Sequence, residues 1–320
     1  MSTHHNFQTY IPGQHSVRGI PFKAHKIDGF TPEMLEQNYE EIYGGAVRRL
    51  NEIEAQISSG NQDRSLRLEH QTVANAVALH EQHFESLGED GGEDLADGSL
   101  KHAIDASFTS VAVWQADFSA MATSSTGGWM VLGWSERFGR LMNVRFGDDT
   151  QTMANLVPII VLNMDEHAFS ADFGPDKTAY VSAFLQSIHW ARAAQRFLRS
   201  MGIATTPEEK PDPTQISISE LKSRRDKNDE VLVLDVRHDD DCERYKNRIT
   251  ESEWHNSFDV AAWASDLPKD KPVVVYCMYG FWVSQKVAEE LREHGIDARS
   301  LTGGVTAWRA MSYPSFNYSA

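Results

Sequence analysis

The sequence is short of cysteine, of positive charge and of long apolar runs. Cys242 and Cys277 are the only two thiols in 320 residues, enough for a single bridge and far too few for a disulfide-stapled fold. Lysine and arginine number 30 against 46 aspartates and glutamates, a formal charge of −16. Nucleic acid and anionic membrane surfaces recruit positive protein surface, so neither is an expected partner. No stretch of 18 apolar residues occurs, which excludes an ordinary membrane-spanning helix from the expectation. The opening "MSTHHNFQTY" carries neither the basic nor the apolar region of a secretion signal, so a reduced, cytoplasmic protein is expected. What is present is ample: 41% hydrophobic residues and eight tryptophans supply real cores at a length that suits two domains.

The pattern changes near residue 205. "TTPEEKPDPTQ" (205–215) places three prolines among alternating charges and reads as a linker. Before it, apolar residues recur at helical spacing over 33–57, 66–87, 98–122 and 177–200, with strand-like runs at 129–134, 141–146 and 157–163. "RFGR" (137–140) suits a hairpin turn between the first two runs. After it come "VLVLDVR" (231–237) and "PVVVYC" (272–277), β-branched runs typical of buried parallel strands. The segment "SQKVAEELREHG" then reads as a helix with Ser284 as N-cap and Gly295 as its stop. The expected architecture is a mostly helical α+β domain (18–204), a linker (205–215) and a small α/β domain (216–313).

The first chemical signal is "VVVYCMYGFWVSQ". A cysteine at the carboxyl end of a buried strand, followed by a glycine-containing loop and a helix, sits among backbone donors and a positive helix end. Such surroundings stabilise a thiolate, a persulfide or a bound oxyanion; the ordinary alternative is a packed cysteine ending a strand. "LVLDVRHDDDCERY", "PVVVYC" and "SLTGGVTAW" occur in that order over 214–312 and together resemble the rhodanese-like domain. That resemblance implies a doubly wound α/β fold with Cys277 carrying sulfur as a persulfide. The loop also resembles the Cys-x-x-Gly-x-x-Val-Ser variant of rhodaneses encoded beside chromate-resistance genes.

Residues 278–284 of the substrate loop are Met278, Tyr279, Gly280, Phe281, Trp282, Val283 and Ser284, without an arginine or lysine. A small dianion would then depend on backbone donors alone. The aromatic residues read either as an apolar rim suited to a low-molecular-weight or protein persulfide donor, or as packing at a domain interface. Asp235 and Arg237 are assigned to fold support at the sheet end. Cys242 lies in an acidic segment and reads as a poor resolving thiol.

The first domain raises a second question. "IPFKAHKI", "FTPEMLEQNYEEIYGGAVRRLN", "NAVALHEQHFESL", "GSLKHAIDASFTSVAVWQADFSAMA", "GGWMVLGW" and "PIIVLNMDEHAF" resemble, in order over 18–200, the iron/manganese superoxide dismutase fold: a helical hairpin followed by an α/β half. The resemblance implies four metal-ligand positions, which here hold Asn38, His80, Asn163 and His167. Two asparagines replace a histidine and an aspartate, and redox iron or manganese needs the anionic ligand for charge balance. Other family positions are changed as well, to Ile42, Ala46, Ala76, Gly147 and Asp165. Glu166 and His167 keep the Glu-His pair that bridges subunits in that family, which implies a homodimer.

Two readings follow for this half: a scaffold without metal chemistry, or a rebuilt site for iron, manganese or zinc using His80, His167 and Asp165, with Asn163 and His83 in reserve. For the whole chain, the leading expectation is a sulfur-handling enzyme working through Cys277. An active dismutase with unusual ligands, and a non-catalytic dimeric binding module in metal or oxyanion stress response, are the alternatives.

Overall fold

The computed structural model describes residues 11–89, 95–203 and 212–317; most of the expected linker, 205–211, lies outside them. The first half opens with a short helical turn at Ala24–Lys26 and α1 (Pro32–Gln37), whose N-cap Thr31 accepts from the Met34 amide. The same helix continues through a π-helical segment (Asn38–Tyr43) into α2 (Gly44–Ser58), and α3 (Arg64–Ser86) returns alongside it. A π segment adds a residue to a helical turn, and such insertions often mark functional or packing sites.

The helix expected over 98–122 is two helices, α4 (Ser99–Phe108) and α5 (Val111–Thr123). Thr109 takes a left-handed φ of 78°, and Ser110 caps the new start by accepting from the Val113 amide. A local reversal of this kind is invisible to apolar spacing. Strands β1 (Trp129–Ser135), β2 (Arg140–Phe146) and β3 (Leu156–Asn163) form an antiparallel sheet in the order β2-β1-β3. The segment after β3 carries "DEHAF" into α6 (Ser170–Phe173) and α7 (Lys177–Gln186). The expected helix over 177–200 also breaks. Ile188 bridges to Leu87 and the His189 amide donates to Ser86, so α8 (Trp190–Ser200) starts afresh.

The second half is a parallel five-stranded sheet in the order β4-β9-β8-β5-β7. Its strands are β4 (Gln215–Ile216), β5 (Leu232–Asp235), β7 (Ser252–Trp254), β8 (Val273–Tyr276) and β9 (Ala298–Leu301), while β6 (Asn247–Ile249) pairs antiparallel with β10 (Ser315–Asn317). Helices α9 (Ile218–Asp226), α10 (Asp239–Arg244), α11 (Trp282–Glu293) and α12 (Gly304–Ala310) complete the α/β layers. β8 is central and every residue of "VVVY" is buried, the environment that an unbroken β-branched run demands.

The two halves share one apolar core that runs from Ile20, Phe22 and Tyr39 to Tyr276, Met278 and Trp308. Glu33, Glu36 and Glu40 form one stripe along the first helix and meet Arg244, the Tyr279 hydroxyl and Arg309. Arg48 donates to the Ala310 carbonyl at the end of α12. Among the described residues no helix is long and apolar enough to cross a membrane.

Candidate functional site: Cys277 and the dismutase-like centre

Cys277 is buried directly beyond the carboxyl end of β8. Its Sγ lies 3.3 Å from Ser284 Oγ, which is itself fully buried. The expectation that Ser284 caps the following helix is corrected here. α11 begins at Trp282 with Phe281 at the cap position, which puts Ser284 inside the first turn and against the sulfur. Gly295, at φ +78°, follows that helix at its C-terminal end.

The loop is pinned from behind. The Val305 and Thr306 amides donate to the carbonyls of Cys277 and Met278, and Thr306 Oγ1 adds a second bond to the latter. Only glycine fits here: a Cβ on Gly304 would lie 2.4 Å from each of those carbonyl oxygens. With the carbonyls held outward, the amides of Met278, Tyr279, Gly280 and Phe281 donate to no backbone carbonyl among the described residues. They are the donors available to an anion or persulfide on the sulfur.

The aromatic residues of the loop divide. Met278 and Tyr279 are buried, and the Tyr279 hydroxyl donates to Glu36 of the first helix. Trp282 is 61% exposed at the mouth, and Phe281 packs against the shared core. Both readings of the loop, rim and interface, thus apply to different residues.

Asp235 and Arg237 form a fully buried pair, with Nε and Nη2 donating to the two carboxylate oxygens at 2.9 and 2.7 Å. Arg237 also holds the carbonyls of Tyr245 and Asn247. The pair braces the sheet end beside the loop. Cys242 is buried with its Sγ 4.0 Å from the Arg237 carbonyl, and neither it nor Cys277 is in a disulfide.

In the first half, His80, Asn163 and His167 converge. His80 Nδ1 faces the Ala76 carbonyl at 2.8 Å, and a carbonyl only accepts, so the proton sits on Nδ1 and Nε2 carries a lone pair. Burial, opposed by that bond, pushes the His80 pKa down to about 3, so the ring is neutral. Partial burial of its ring lowers the His167 pKa too, although the residue as a whole opens to solvent. Between the rings stands the Asn163 amide, with Nδ2 3.5 Å from His80 Nε2 and 3.3 Å from His167 Nε2. Its orientation is set by Oδ1, which accepts from the Asp165 amide at 2.9 Å.

The amide therefore presents N–H groups, not a lone pair, to the point where the two imidazoles meet. Asp165 is turned away: its Oδ1 accepts from the Gly128 amide at 2.7 Å. Asn38 donates to the Ala168 carbonyl. His83 is buried against Phe184 and the Val161 carbonyl. Among the described residues no group of three or more His, Cys, Asp or Glu is placed to hold a metal ion. Two neutral imidazoles facing an N–H donor do not fit iron or manganese, which needs anionic donors for charge balance. Glu166 and His167 both open to solvent in the single chain.

The sequence singled out Cys277, which the structure places beyond β8, and His80, Asn163 and His167, which it brings together. Sequence reasoning missed the acidic stripe of the first helix and the Ser284 contact. The stripe was legible as a three-then-four spacing of glutamates, but its partners lie more than two hundred residues away.

Comparison with known proteins agrees with both halves. The model for the C-terminal domain of iron/manganese superoxide dismutases matches residues 96–196, and that for the rhodanese-like domain matches 217–311. The iron superoxide dismutase of Cupriavidus metallidurans is 42% identical over 181 residues, which is 54% of this chain and 90% of that protein. The iron enzyme of Aquifex aeolicus is 28% identical over 192 residues, 56% of this chain and 89% of its own length. A manganese enzyme of Halobacterium salinarum is 26% identical over 193 residues, 56% of this chain and 94% of its own. The chain belongs to the iron/manganese superoxide dismutase family and carries a rhodanese-like domain behind its dismutase-like half.

Proposed function

We propose that this protein is a sulfur-transfer enzyme acting through a persulfide on Cys277, and that its dismutase-like half is a scaffold without dismutase chemistry. The observation that carries the reading is the setting of Cys277. Its sulfur lies at the end of the central strand, beside the Ser284 hydroxyl and a loop whose amides are free to receive charge. Ser284 donates to the thiolate form, and the α11 N-terminus adds its dipole. A terminal sulfane sulfur is attacked by the thiolate, the donor's S–S bond breaks, and the donor leaves as its thiolate. The resulting Cys277 persulfide is then attacked by an acceptor nucleophile, which restores the thiol. Phosphatase chemistry is disfavoured because the loop lacks the cation a dianion needs.

The test is sulfur transfer to cyanide by the full-length chain. Cys277→Ser is expected to abolish it; an unchanged rate would sink the proposal and favour a non-catalytic binding role.

The second reading, an active dismutase, is favoured by the 42% identity to an iron superoxide dismutase across nine-tenths of that protein. Metal analysis of the purified protein separates the two. Stoichiometric iron or manganese, lost in His80→Ala and His167→Ala and accompanied by superoxide removal, would establish the dismutase. The scaffold reading expects neither metal nor removal. We further propose a homodimer through the exposed Glu166 and His167, checked by sedimentation of the wild type against Glu166→Ala.

A further inference from the structure

The loop around Cys277 brings no cation of its own, yet its cavity contains one from the other half of the chain. A cavity of about 590 Å³ over Cys277 is lined by Lys23 and His25 as well as by His238, Asp239, Asp240 and Asp241. That volume falls in the range of small-molecule sites. Lys23 and His25 flank the buried Ala24, and the loop is tied to the first helix beside them, where the Tyr279 hydroxyl donates to Glu36. The tyrosine two residues after the nucleophile thus clamps the start of the dismutase-like half over the cavity. A second close contact supports the clamp. A Cβ on Gly19 would stand 3.1 Å from the Gly303 Cα, in the turn that leads into α12. Lys23 has no carboxylate partner among the described residues; its backbone amide, not its ammonium, meets Glu89.

We propose that the dismutase-like half supplies the anion-binding wall of the sulfur-transfer site, and that the cavity takes a low-molecular-weight persulfide of amino-acid or short-peptide type, its carboxylate on Lys23 and His25 and its ammonium on Asp239, Asp240 and Asp241. This rests on Cys277 being the sulfur carrier. The mixed charge of the lining decides the class. An inorganic dianion such as thiosulfate gains from Lys23 but is repelled by three carboxylates, whereas a zwitterion is matched by both. Asp241 lines the same cavity as His238 and His25, so acid and base share it. In the step itself, the Cys277 thiolate attacks the terminal sulfur of R–S–SH. The Cys277–sulfur bond forms as the donor's S–S bond breaks, and R–S⁻ departs with the electron pair and takes a proton from solvent. The sulfane proton stays on the new Cys277 persulfide, and no external oxidant or reductant is used.

The experiment is steady-state transfer to cyanide from glutathione persulfide, cysteine persulfide and thiosulfate, using the full-length chain. Lys23→Met is expected to raise KM for both persulfides about tenfold, the loss of one charge-assisted contact, with little change in kcat. Lys23→Arg should restore it, and melting of all variants should match the wild type. Asp239→Asn with Asp240→Asn should narrow the preference for persulfides over thiosulfate. If Lys23→Met with His25→Gln matches the wild type on every donor while Cys277→Ser is dead, the shared wall is refuted and the sulfur-transfer reading survives. If thiosulfate is the best donor and the one donor that Lys23→Met weakens, the assignment to zwitterionic persulfides is refuted, as it is if only a persulfidated protein serves as donor. Activity in Cys277→Ser overturns the underlying reading itself.

Discussion

Replacing Gly44 by alanine separates a free helix from one pressed against a second domain. Gly44 opens α2 with φ −59° and ψ −39°, helical angles that alanine adopts without strain. On a helix with nothing beside it, the change stabilises by about 0.5–1 kcal/mol, because alanine loses less backbone entropy. Here the added Cβ would lie 2.4 Å from the Ala310 carbonyl oxygen, 3.0 Å from its carbon and 3.1 Å from its Cα. These are backbone atoms of the last turn of α12, held in place by Arg48 on the same carbonyl and by Arg309 on Glu40. They cannot rotate away, so the helices must part, and overpacking of this kind costs about 1–3 kcal/mol. The neighbouring Gly45 is the internal control: its Cβ meets nothing nearer than the Arg48 guanidinium end at 3.7 Å. Gly45→Ala should therefore stabilise and Gly44→Ala destabilise, a separation of about 1.5–4 kcal/mol. In calorimetry that is several degrees, at roughly 2–4 °C per kcal/mol for domains of this size. Gly44→Ala should also weaken persulfide binding, since parting the helices moves Lys23 and His25 from the cavity. Equal stabilisation by both substitutions would refute the docking of α12 on the first helix.

Ser284→Ala removes the hydroxyl 3.3 Å from the Cys277 sulfur; alkylation of Cys277 at neutral pH should slow about tenfold, the worth of one hydrogen bond to a charged group, with the melting temperature nearly unchanged. Asp235→Asn leaves Arg237 buried without its anion and should cost about 3–5 kcal/mol in denaturant unfolding. His83 is held neutral by burial, with its pKa pushed down to about 4. The unfolded chain takes up that proton near pH 6.5 and the folded chain does not, so this stability is intact above about pH 6.5 and is lost as pH falls toward 4. The loss is on the order of 3 kcal/mol, and His83→Gln should flatten that part of the stability–pH curve.

The rhodanese-like half was legible where chemistry and local pattern coincide. A β-branched run ending in cysteine, then a glycine loop, then a helix specifies where Cys277 sits because each part has a local physical cause. Ser284 was misread for the same reason: serine before a helical run satisfies capping rules, and only the turn at Phe281 moves it inside the helix. The break at Thr109 was hidden because a left-handed threonine leaves no trace in apolar spacing. The π segment at Asn38–Tyr43 and the close approach at Gly44 serve contacts with α12, more than 250 residues away along the chain, which no local window reports. In the dismutase-like half, the sequence located His80, Asn163 and His167 but not the direction of the amide. That direction depends on one bond from the Asp165 backbone, and it decides whether the centre offers a lone pair or a proton.

The most direct measurement is intact-protein mass spectrometry of the full chain after incubation with glutathione persulfide and removal of excess donor. The account expects a gain of one sulfur atom, mapped to Cys277, removed by cyanide and missing in Cys277→Ser. No gain in the wild type, or an equal gain in Cys277→Ser carried by Cys242, would contradict it.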